Sequence, residues 1–142
     1  MPDVNVLVYA HRQDDPVHEP YRIWFEALID GPHPFALSVL VAVGFVRLVT
    51  NVRIFPDPTP LSVALAAVER LTKHPGCRLV APGPGHLDDV ARLCRAVDAT
   101  SKHVADAQHA ALAIAEGATW VTRDDGFRRF ETHGLNWQHL VP

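Results

Sequence analysis

Aspartate side chains that lie beside predicted strands and helices are the groups in this sequence best suited to chemistry. Asp124 closely follows the segment 118–122, whose β-branched and aromatic residues predict a strand. In open parallel α/β sheets the active site lies beyond the carboxyl ends of the strands, so Asp124 is expected to face that crevice. Its neighbour Asp125 is predicted to cap the short helix that follows, which leaves Asp124 to project inward.

Further polar side chains precede or begin two other predicted elements. Asp106 lies early in the alanine-rich segment 104–116, which is predicted to be helical. If buried, its carboxylate needs a partner such as a metal, a base or water; the alternative is an exposed aspartate stabilised by the helix dipole. His109 lies on the same helix face, where it could orient a phosphate or water, or simply pack. Asp3 and Asn5 begin the first apolar element, which is a weak signal when taken alone.

Several other kinds of chemistry find no support in the sequence. It contains neither the phosphate-binding pattern G-x-x-x-x-G-K nor the dinucleotide-binding pattern G-x-G-x-x-G. The nine histidines are scattered without a zinc-binding spacing, and no Ser-His-Asp or Cys-His arrangement is visible. The two cysteines, Cys77 and Cys94, are too few for a disulfide framework, so both are expected to be reduced and partly buried.

Length and composition indicate one compact domain that spans residues 1–142. The chain has 142 residues, and 48% of them are hydrophobic, which is enough for a substantial core. No apolar run approaches the roughly 20 residues needed to cross a bilayer. The N-terminal residues lack the pattern of a secretory signal, so a cytoplasmic location is expected. The net charge of −3 does not by itself select a class of partner.

Apolar periodicity and turn residues predict helices that alternate with short strands. Residues 4–10 form an apolar run too short to distinguish a strand from a buried helix. Helices are predicted over residues 16–29, 40–49, 60–74, 86–98 and 104–116. Strands are predicted over residues 35–38, 77–82 and 118–122. Thr59 is expected to be the N-cap of the helix that Pro60 begins. This alternation indicates an α/β domain with a mainly parallel sheet.

Four segments, taken in order, resemble the PIN-domain family and more closely the VapC toxins of VapBC toxin–antitoxin pairs, particularly the actinobacterial group. The segments are DVNVLVYA, GFVRLVTNVRIF, VADAQHAALA and TWVTRDDGF, spread over nearly the whole chain. The resemblance implies a three-layer α/β/α sandwich and an endoribonuclease that depends on Mg²⁺ or Mn²⁺. It also implies a homodimer and a small VapB-like antitoxin that blocks the active site.

The resemblance also assigns roles to individual residues. Asp3, Asp106 and Asp124 match the metal-binding acids of the family, and Asn5 matches the polar companion of the first acid. Asp3 would then end a first strand, and residues 5–12 would be helical. Independently of the resemblance, clustered basic residues are candidates to contact the RNA backbone with salt-dependent affinity, namely Arg47, Arg53 and Arg123 together with Thr50. The alternative is that the arginines are solvated surface charges. An antitoxin helix could bind in an exposed apolar groove. The candidates to line this groove are Trp24, Phe25, Leu28 and Phe45, and core packing is the alternative use for them.

The sequence departs from the family pattern in two places. The family has a further acid on the helix after the second strand, but this chain has Val39 and Gly44 at the two positions where it occurs. Three acids can still hold one hard cation, so we expect a single ion and reduced activity. Only Met1 and Pro2 precede Asp3, so the first strand is expected to be very short. Either this central strand pairs poorly or the true start lies upstream.

Two alternatives to an active ribonuclease remain open from the sequence. The missing acid is compatible with a catalytically inactive PIN-fold module that binds RNA or an antitoxin. An α/β phosphohydrolase or phosphoacceptor domain would explain an aspartate after a strand, such as Asp3 or Asp124, but it leaves the Asp106 helix unexplained. Metal binding that depends on Asp106 separates the active enzyme from the inactive module.

Overall fold

The computed structural model describes every residue from 1 to 142, and the chain forms two compact units. The N-terminal unit comprises Pro2–Val80 together with Pro142, and the C-terminal unit comprises Ala81–Val141 together with Met1. Each unit combines helices with one pair of parallel strands, which confirms the predicted α/β class. The assignment of residues 1–142 to a single domain stays a prediction.

Four helices and two strands make up the N-terminal unit. In chain order they are α1 (Val4–His11), α2 (His18–Ile29), β1 (Phe35–Ser38), α3 (Val39–Val49), α4 (Leu61–Thr72) and β2 (Cys77–Val80). The two strands pair in parallel, with Phe35 opposite Cys77. All four residues of β1 are buried, as expected for a strand of a parallel sheet that is covered on both faces.

The first apolar element, left open by its periodicity, is the helix α1. Asp3 has an extended backbone, and its side chain accepts a hydrogen bond from the Val4 amide, so it acts as the N-cap. Val6, Leu7 and Val8 are buried, and the Tyr9 ring packs 5.0 Å from the ring of Tyr21 on α2. The helix implied by the family resemblance for residues 5–12 is therefore confirmed.

The start of α4 differs from the prediction by one residue. Pro60 has an extended ψ of 140° and is the N-cap, so helical geometry begins at Leu61. The prediction that Thr59 is the N-cap is therefore wrong. Thr59 is instead buried and engaged elsewhere. Its amide donates to the Val49 carbonyl oxygen over 2.8 Å, and its hydroxyl lies 3.2 Å from Nε2 of His11. These contacts hold the loop between α3 and α4 and leave Thr59 unable to cap.

The C-terminal unit is built around an alanine-rich helix and a short buried strand. Its elements are α5 (His86–Ala96), α6 (Lys102–Ala115), β3 (Trp120–Thr122), a 3₁₀ helix (Asp125–His133) and β4 (Trp137–His139). β3 and β4 pair in parallel, with Trp120 opposite Trp137; β4 was not predicted. Four alanines of α6 are buried, which allows close packing of that helix: Ala107, Ala110, Ala111 and Ala113.

The N-terminal residue adds a single pairing beside β3. The Met1 amino group donates to the Thr119 carbonyl oxygen over 2.8 Å, and the Met1 carbonyl accepts from the Val121 amide over 3.0 Å. This is the hydrogen-bond pattern of parallel strands, and it agrees with the prediction of a very short first strand. No helix in the structure combines the length and apolar character that crossing a bilayer requires. Cys77 and Cys94 are free and partly buried, as predicted.

Candidate metal centre

Asp3 is a buried carboxylate fixed by its own chain neighbours. Its Oδ1 accepts from the Val4 amide at 2.6 Å, and its Oδ2 accepts from Nδ2 of Asn5 at 2.9 Å. The helix α1 begins directly after Asp3, so the amide at its first turn and the positive end of the helix dipole stabilise the negative charge. Asn5 therefore orients the carboxylate that the resemblance assigns to the metal.

Asp106 lies in the second turn of α6 and is mostly buried. Its Oδ2 lies 3.2 Å from Nδ1 of His103, one turn earlier on the same helix. Its immediate neighbour Ala107 and Ala110 one turn on are completely buried. The Asp106 carboxylate thus has a basic partner on the same helix, His103. The other oxygen of Asp106, Oδ1, takes no part in this contact.

Asp124, and not Asp125, caps the short helix that follows β3. Asp124, with an extended backbone, is the N-cap of the 3₁₀ helix, because its Oδ1 accepts from the Gly126 amide over 2.8 Å. Asp125 is exposed and is the first residue of that helix, so the prediction that it caps is wrong. A Cβ at Gly126 would lie 2.8 Å from Oδ1 of Asp124, so a larger residue there would force the carboxylate to shift. Oδ2 of Asp124 is left free of the cap.

His109 is partly buried within the C-terminal unit. Its ring stacks on Trp120, with centroids 5.2 Å apart and planes within 18°, and its Nδ1 has no hydrogen-bond partner. Burial lowers the pKa of His109, and the negative charge of Asp106 offsets this only in part. The ring is accordingly neutral near pH 7, and the geometry favours packing over contact with a phosphate.

The two positions that lack the family acid both lie on α3. Val39 is its first residue and is partly buried, directly after Ser38, whose hydroxyl oxygen accepts from the Leu40 amide. A Cβ at Gly44 would lie 3.6 Å from the Val4 side chain, which is ordinary contact. A side chain at position 44 would thus meet the first turn of α1, beside Asp3.

The side chains assigned to the RNA backbone lie in both units. Arg47 in the last turn of α3 and Arg53 in the following loop are exposed, and Arg123 is exposed just after β3. Thr50 is the C-cap of α3, and its hydroxyl donates to the Val46 carbonyl oxygen over 2.7 Å. The three arginines are accessible to a phosphate, whereas the Thr50 hydroxyl proton already has a local acceptor.

The chemistry of the three acids suits a hard cation, although the structure contains no preformed cluster. Carboxylate oxygens are the ligands that Mg²⁺ and similar ions prefer. Asp3 belongs to the N-terminal unit, and Asp106 and Asp124 belong to the C-terminal unit. No group of three or more histidine, cysteine, aspartate or glutamate side chains forms a potential metal cluster. The donor atoms thus fit the ion, and their joint binding of it is a proposal.

Two basic residues beside the acids were missed in the sequence. His103 contacts Asp106, and Nζ of Lys102 lies 3.8 Å from Oδ2 of Asp124. His103 precedes Asp106 by three positions, and this helical spacing could have revealed the pair. The Lys102 contact joins residues far apart in the chain and has no local signal.

Comparison with known proteins identifies the family. The PIN domain profile matches residues 1–132. The ribonuclease VapC43 of Mycobacterium tuberculosis is 42% identical over 137 residues, which cover 96% of this chain and 92% of that protein. The ribonuclease VapC31 of the same organism is 41% identical over 128 residues, which cover 90% of each chain.

Solved structures show the same fold at lower sequence identity. The VapBC2 complex of Rickettsia felis, bound to a DNA fragment from its promoter, contains a chain that matches with a TM-score of 0.71. That match has 18% identity and covers 99% of this chain and 98% of the other. FitAB bound to a DNA fragment matches with a TM-score of 0.68 and 20% identity, over 99% and 96% of the two chains. The chain described here belongs to the PIN-domain family, within its VapC ribonuclease group.

Proposed function

We propose that this protein is a divalent-metal-dependent endoribonuclease, the toxin of a cytoplasmic toxin–antitoxin pair. The observation that carries the proposal is the relationship to VapC ribonucleases, which extends over 96% of the chain at 42% identity. The three aspartates that match the family acids are all present. Each of them is held in place by a hydrogen bond or by contact with a base.

In the proposed mechanism the chain's own residues prepare the carboxylates. Asp3, Asp106 and Asp124 would hold one Mg²⁺ or Mn²⁺ ion. Such an ion, when bound, polarises the scissile phosphate and lowers the pKa of a water molecule that attacks it. Asn5 orients Asp3, and the Gly126 amide engages Oδ1 of Asp124 and leaves Oδ2 outside the cap. No side chain serves as nucleophile.

Positive side chains would position the RNA. Arg47, Arg53 and Arg123 are exposed, and we propose that they contact backbone phosphates, with a lesser part for Thr50 because its hydroxyl is engaged. Such contacts release counterions, so RNA affinity should fall as the salt concentration rises. Asp125 and His109 play supporting roles: Asp125 adds negative charge beside Asp124, and His109, on the same helix as Asp106, packs against Trp120.

Removal of divalent metal is expected to abolish RNA cleavage. The purified protein is incubated with a mixture of total RNA and Mn²⁺ or Mg²⁺, and parallel samples contain EDTA. We expect defined fragments with metal and intact RNA with EDTA, and excess Mn²⁺ should restore cleavage. Identical fragments with and without EDTA would contradict the proposal. No cleavage with either metal, together with intact RNA binding, would instead favour the inactive module.

Restoring the missing acid should strengthen metal binding. Val39→Glu places a carboxylate at the first position of α3, where the helix dipole favours negative charge. We expect Mn²⁺ affinity to rise about tenfold, because a further carboxylate adds to the ligand charge. Val43→Glu, on an exposed site of the same helix, is the control. Equal Mn²⁺ affinity of Val39→Glu and wild type, measured by calorimetry, would contradict the idea that the lost acid limits the site.

An apolar cavity in the N-terminal unit is the proposed docking site for the antitoxin. Its volume is about 300 Å³, and seven of its twelve lining residues are apolar: Leu7, Ala10, Phe25, Ile29, Phe45, Ala67 and Leu71. The other five are His11, Arg22, Glu26, Arg70 and His74. Of the four candidates from the sequence, Phe25 and Phe45 line it, whereas Trp24 and Leu28 do not. A groove of this kind suits the apolar face of an amphipathic helix. The homodimer stays a prediction, which sedimentation of the purified protein tests.

A further inference from the structure

Lys102 lies beside the oxygen of Asp124 that takes no part in the helix cap. Oδ1 of Asp124 accepts a hydrogen bond from the Gly126 amide, whereas Oδ2 takes no part in the cap and so has more lone-pair capacity for a metal ion. The ammonium group of Lys102 lies 3.8 Å from that same Oδ2. A divalent ion and the ammonium group repel each other at such a distance, so both do not occupy the same oxygen.

The ion pair between Lys102 and Asp124 is weak and easily displaced. The Lys102 side chain is 68% exposed and the Asp124 side chain 38% exposed, and exposed ion pairs contribute little stability. Lys102 is the first residue of α6, with the rest of its long side chain in solvent. A divalent ion would therefore displace the ammonium group easily and leave it close to the site, free to move to another anion.

The backbone before α6 holds Lys102 in this place. Ser101 precedes Lys102 with φ of 51° and ψ of −120°, a conformation unfavourable for a residue with a side chain, and Asp98 has φ of 50°. The turn is closed by hydrogen bonds from the Ala99 amide to the Cys94 carbonyl and from the His103 amide to the Thr100 carbonyl. The start of α6 is thus fixed, and only the lysine side chain remains free to move.

We propose that Lys102 exchanges between two anions: it pairs with Asp124 when no metal is bound, and it contacts an RNA backbone phosphate when a divalent ion occupies Asp124. The inference rests on the proposed function and adds a residue to the binding of its substrate. It predicts that Lys102 opposes metal binding and supports RNA binding, and that the second effect exists only with metal present. A lysine with a merely structural role would show neither dependence.

The chain contains two lysines, so the exchange can be observed directly. The second, Lys73, is also exposed and pairs with a carboxylate, that of Glu69 at 3.5 Å, which makes it a matched control. Reductive methylation with ¹³C-formaldehyde labels both ammonium groups and preserves their charge. Addition of Mg²⁺ should shift the Lys102 methyl signal and not the Lys73 signal, and trace Mn²⁺ should broaden Lys102 first. Equal responses of the two signals would overturn the inference.

Binding measurements on Lys102→Met, Lys102→Arg and Lys73→Met complete the test. Lys102→Met should bind Mn²⁺ about two- to fivefold more tightly than wild type, the range for loss of an exposed ion pair. For a single-stranded oligoribonucleotide, the binding constant is measured as a function of salt concentration on a log–log plot. With Ca²⁺ present, the slope for Lys102→Met should be smaller in magnitude by about 0.7, which corresponds to one lost phosphate contact. In EDTA the slope should equal that of wild type. Lys102→Arg and Lys73→Met should resemble wild type.

The outcomes separate this inference from the proposed function. If wild type binds Mn²⁺ and cleaves RNA while Lys102→Met matches Lys73→Met in every assay, the inference is wrong and the function stands. If Lys102→Met weakens RNA binding equally with and without Ca²⁺, the lysine is an ordinary phosphate contact and the exchange is wrong. If wild type binds no Mn²⁺, both proposals are overturned.

Discussion

Replacing Asp106 with asparagine is expected to lower RNA cleavage by at least about 100-fold and to abolish measurable Mn²⁺ binding. A bound metal supplies several kcal/mol of transition-state stabilisation, and each ~1.4 kcal/mol corresponds to a factor of ten in rate. Asparagine keeps the shape of the side chain but removes the negative charge that pairs with His103 and attracts the cation. Cleavage of a labelled RNA and calorimetric titration with Mn²⁺ measure the two effects.

Asp88→Asn is the matched control for this substitution. Asp88 is exposed, lies in the first turn of α5 in the same unit, and forms no part of the proposed site. It should retain wild-type cleavage and Mn²⁺ affinity, and circular dichroism should show that both variants are folded. Cleavage by Asp106→Asn within about threefold of the Asp88→Asn rate would show that Asp106 is not a metal ligand, since that is far below the expected loss.

Replacing Phe25 with glutamate is expected to weaken antitoxin binding by about 100-fold, an effect of the size seen for aromatic residues at the centres of interfaces. Phe25 lines the 300 Å³ cavity and is only partly buried, so a carboxylate there would reach solvent while it places charge in the apolar groove. Titration of the cognate antitoxin into each variant measures the change.

Ile23→Glu provides the comparison for the antitoxin experiment. Ile23 is on the same helix and is 55% exposed, but it does not line the cavity. Its substitution should leave the antitoxin affinity close to that of wild type. If both glutamate variants bind the antitoxin as tightly as wild type, the antitoxin does not use this cavity, although the ribonuclease proposal would be unaffected.

Local sequence predicted most helices and strands, and the exceptions have physical causes. The first apolar run, residues 4–10, is a helix because Asp3 caps it, a detail that apolar periodicity does not report. The helix after Thr59 begins one residue late because that threonine is engaged with Val49 and His11, which are distant in the chain. β4 was missed because its three residues are largely polar, and its pairing depends on the 3₁₀ helix that leads to it.

In the candidate site, too, the local sequence could not predict the features that depend on the backbone conformation or on contacts between residues distant in the chain. The adjacent Asp124 and Asp125 have identical side chains, so the choice of the cap depends on the extended backbone of Asp124 and the close approach to Gly126. Composition and spacing do not indicate which of the two aspartates caps the helix. The three acids were found through resemblance to a family, whereas the contact of Lys102 with Asp124 depends on the fold of the C-terminal unit and was found in the structure.

The most direct test of the central claim is a crystal structure of the protein soaked with Mn²⁺, with diffraction measured for anomalous scattering by manganese. The account predicts one anomalous peak within about 2.0 to 2.6 Å of a carboxylate oxygen of each of Asp3, Asp106 and Asp124, the span of distances for hard cations with oxygen ligands. At Asp124 the oxygen should be Oδ2, with Lys102 moved away. A peak that lacks any one of the three aspartates, or the absence of a peak at millimolar Mn²⁺, would contradict the account.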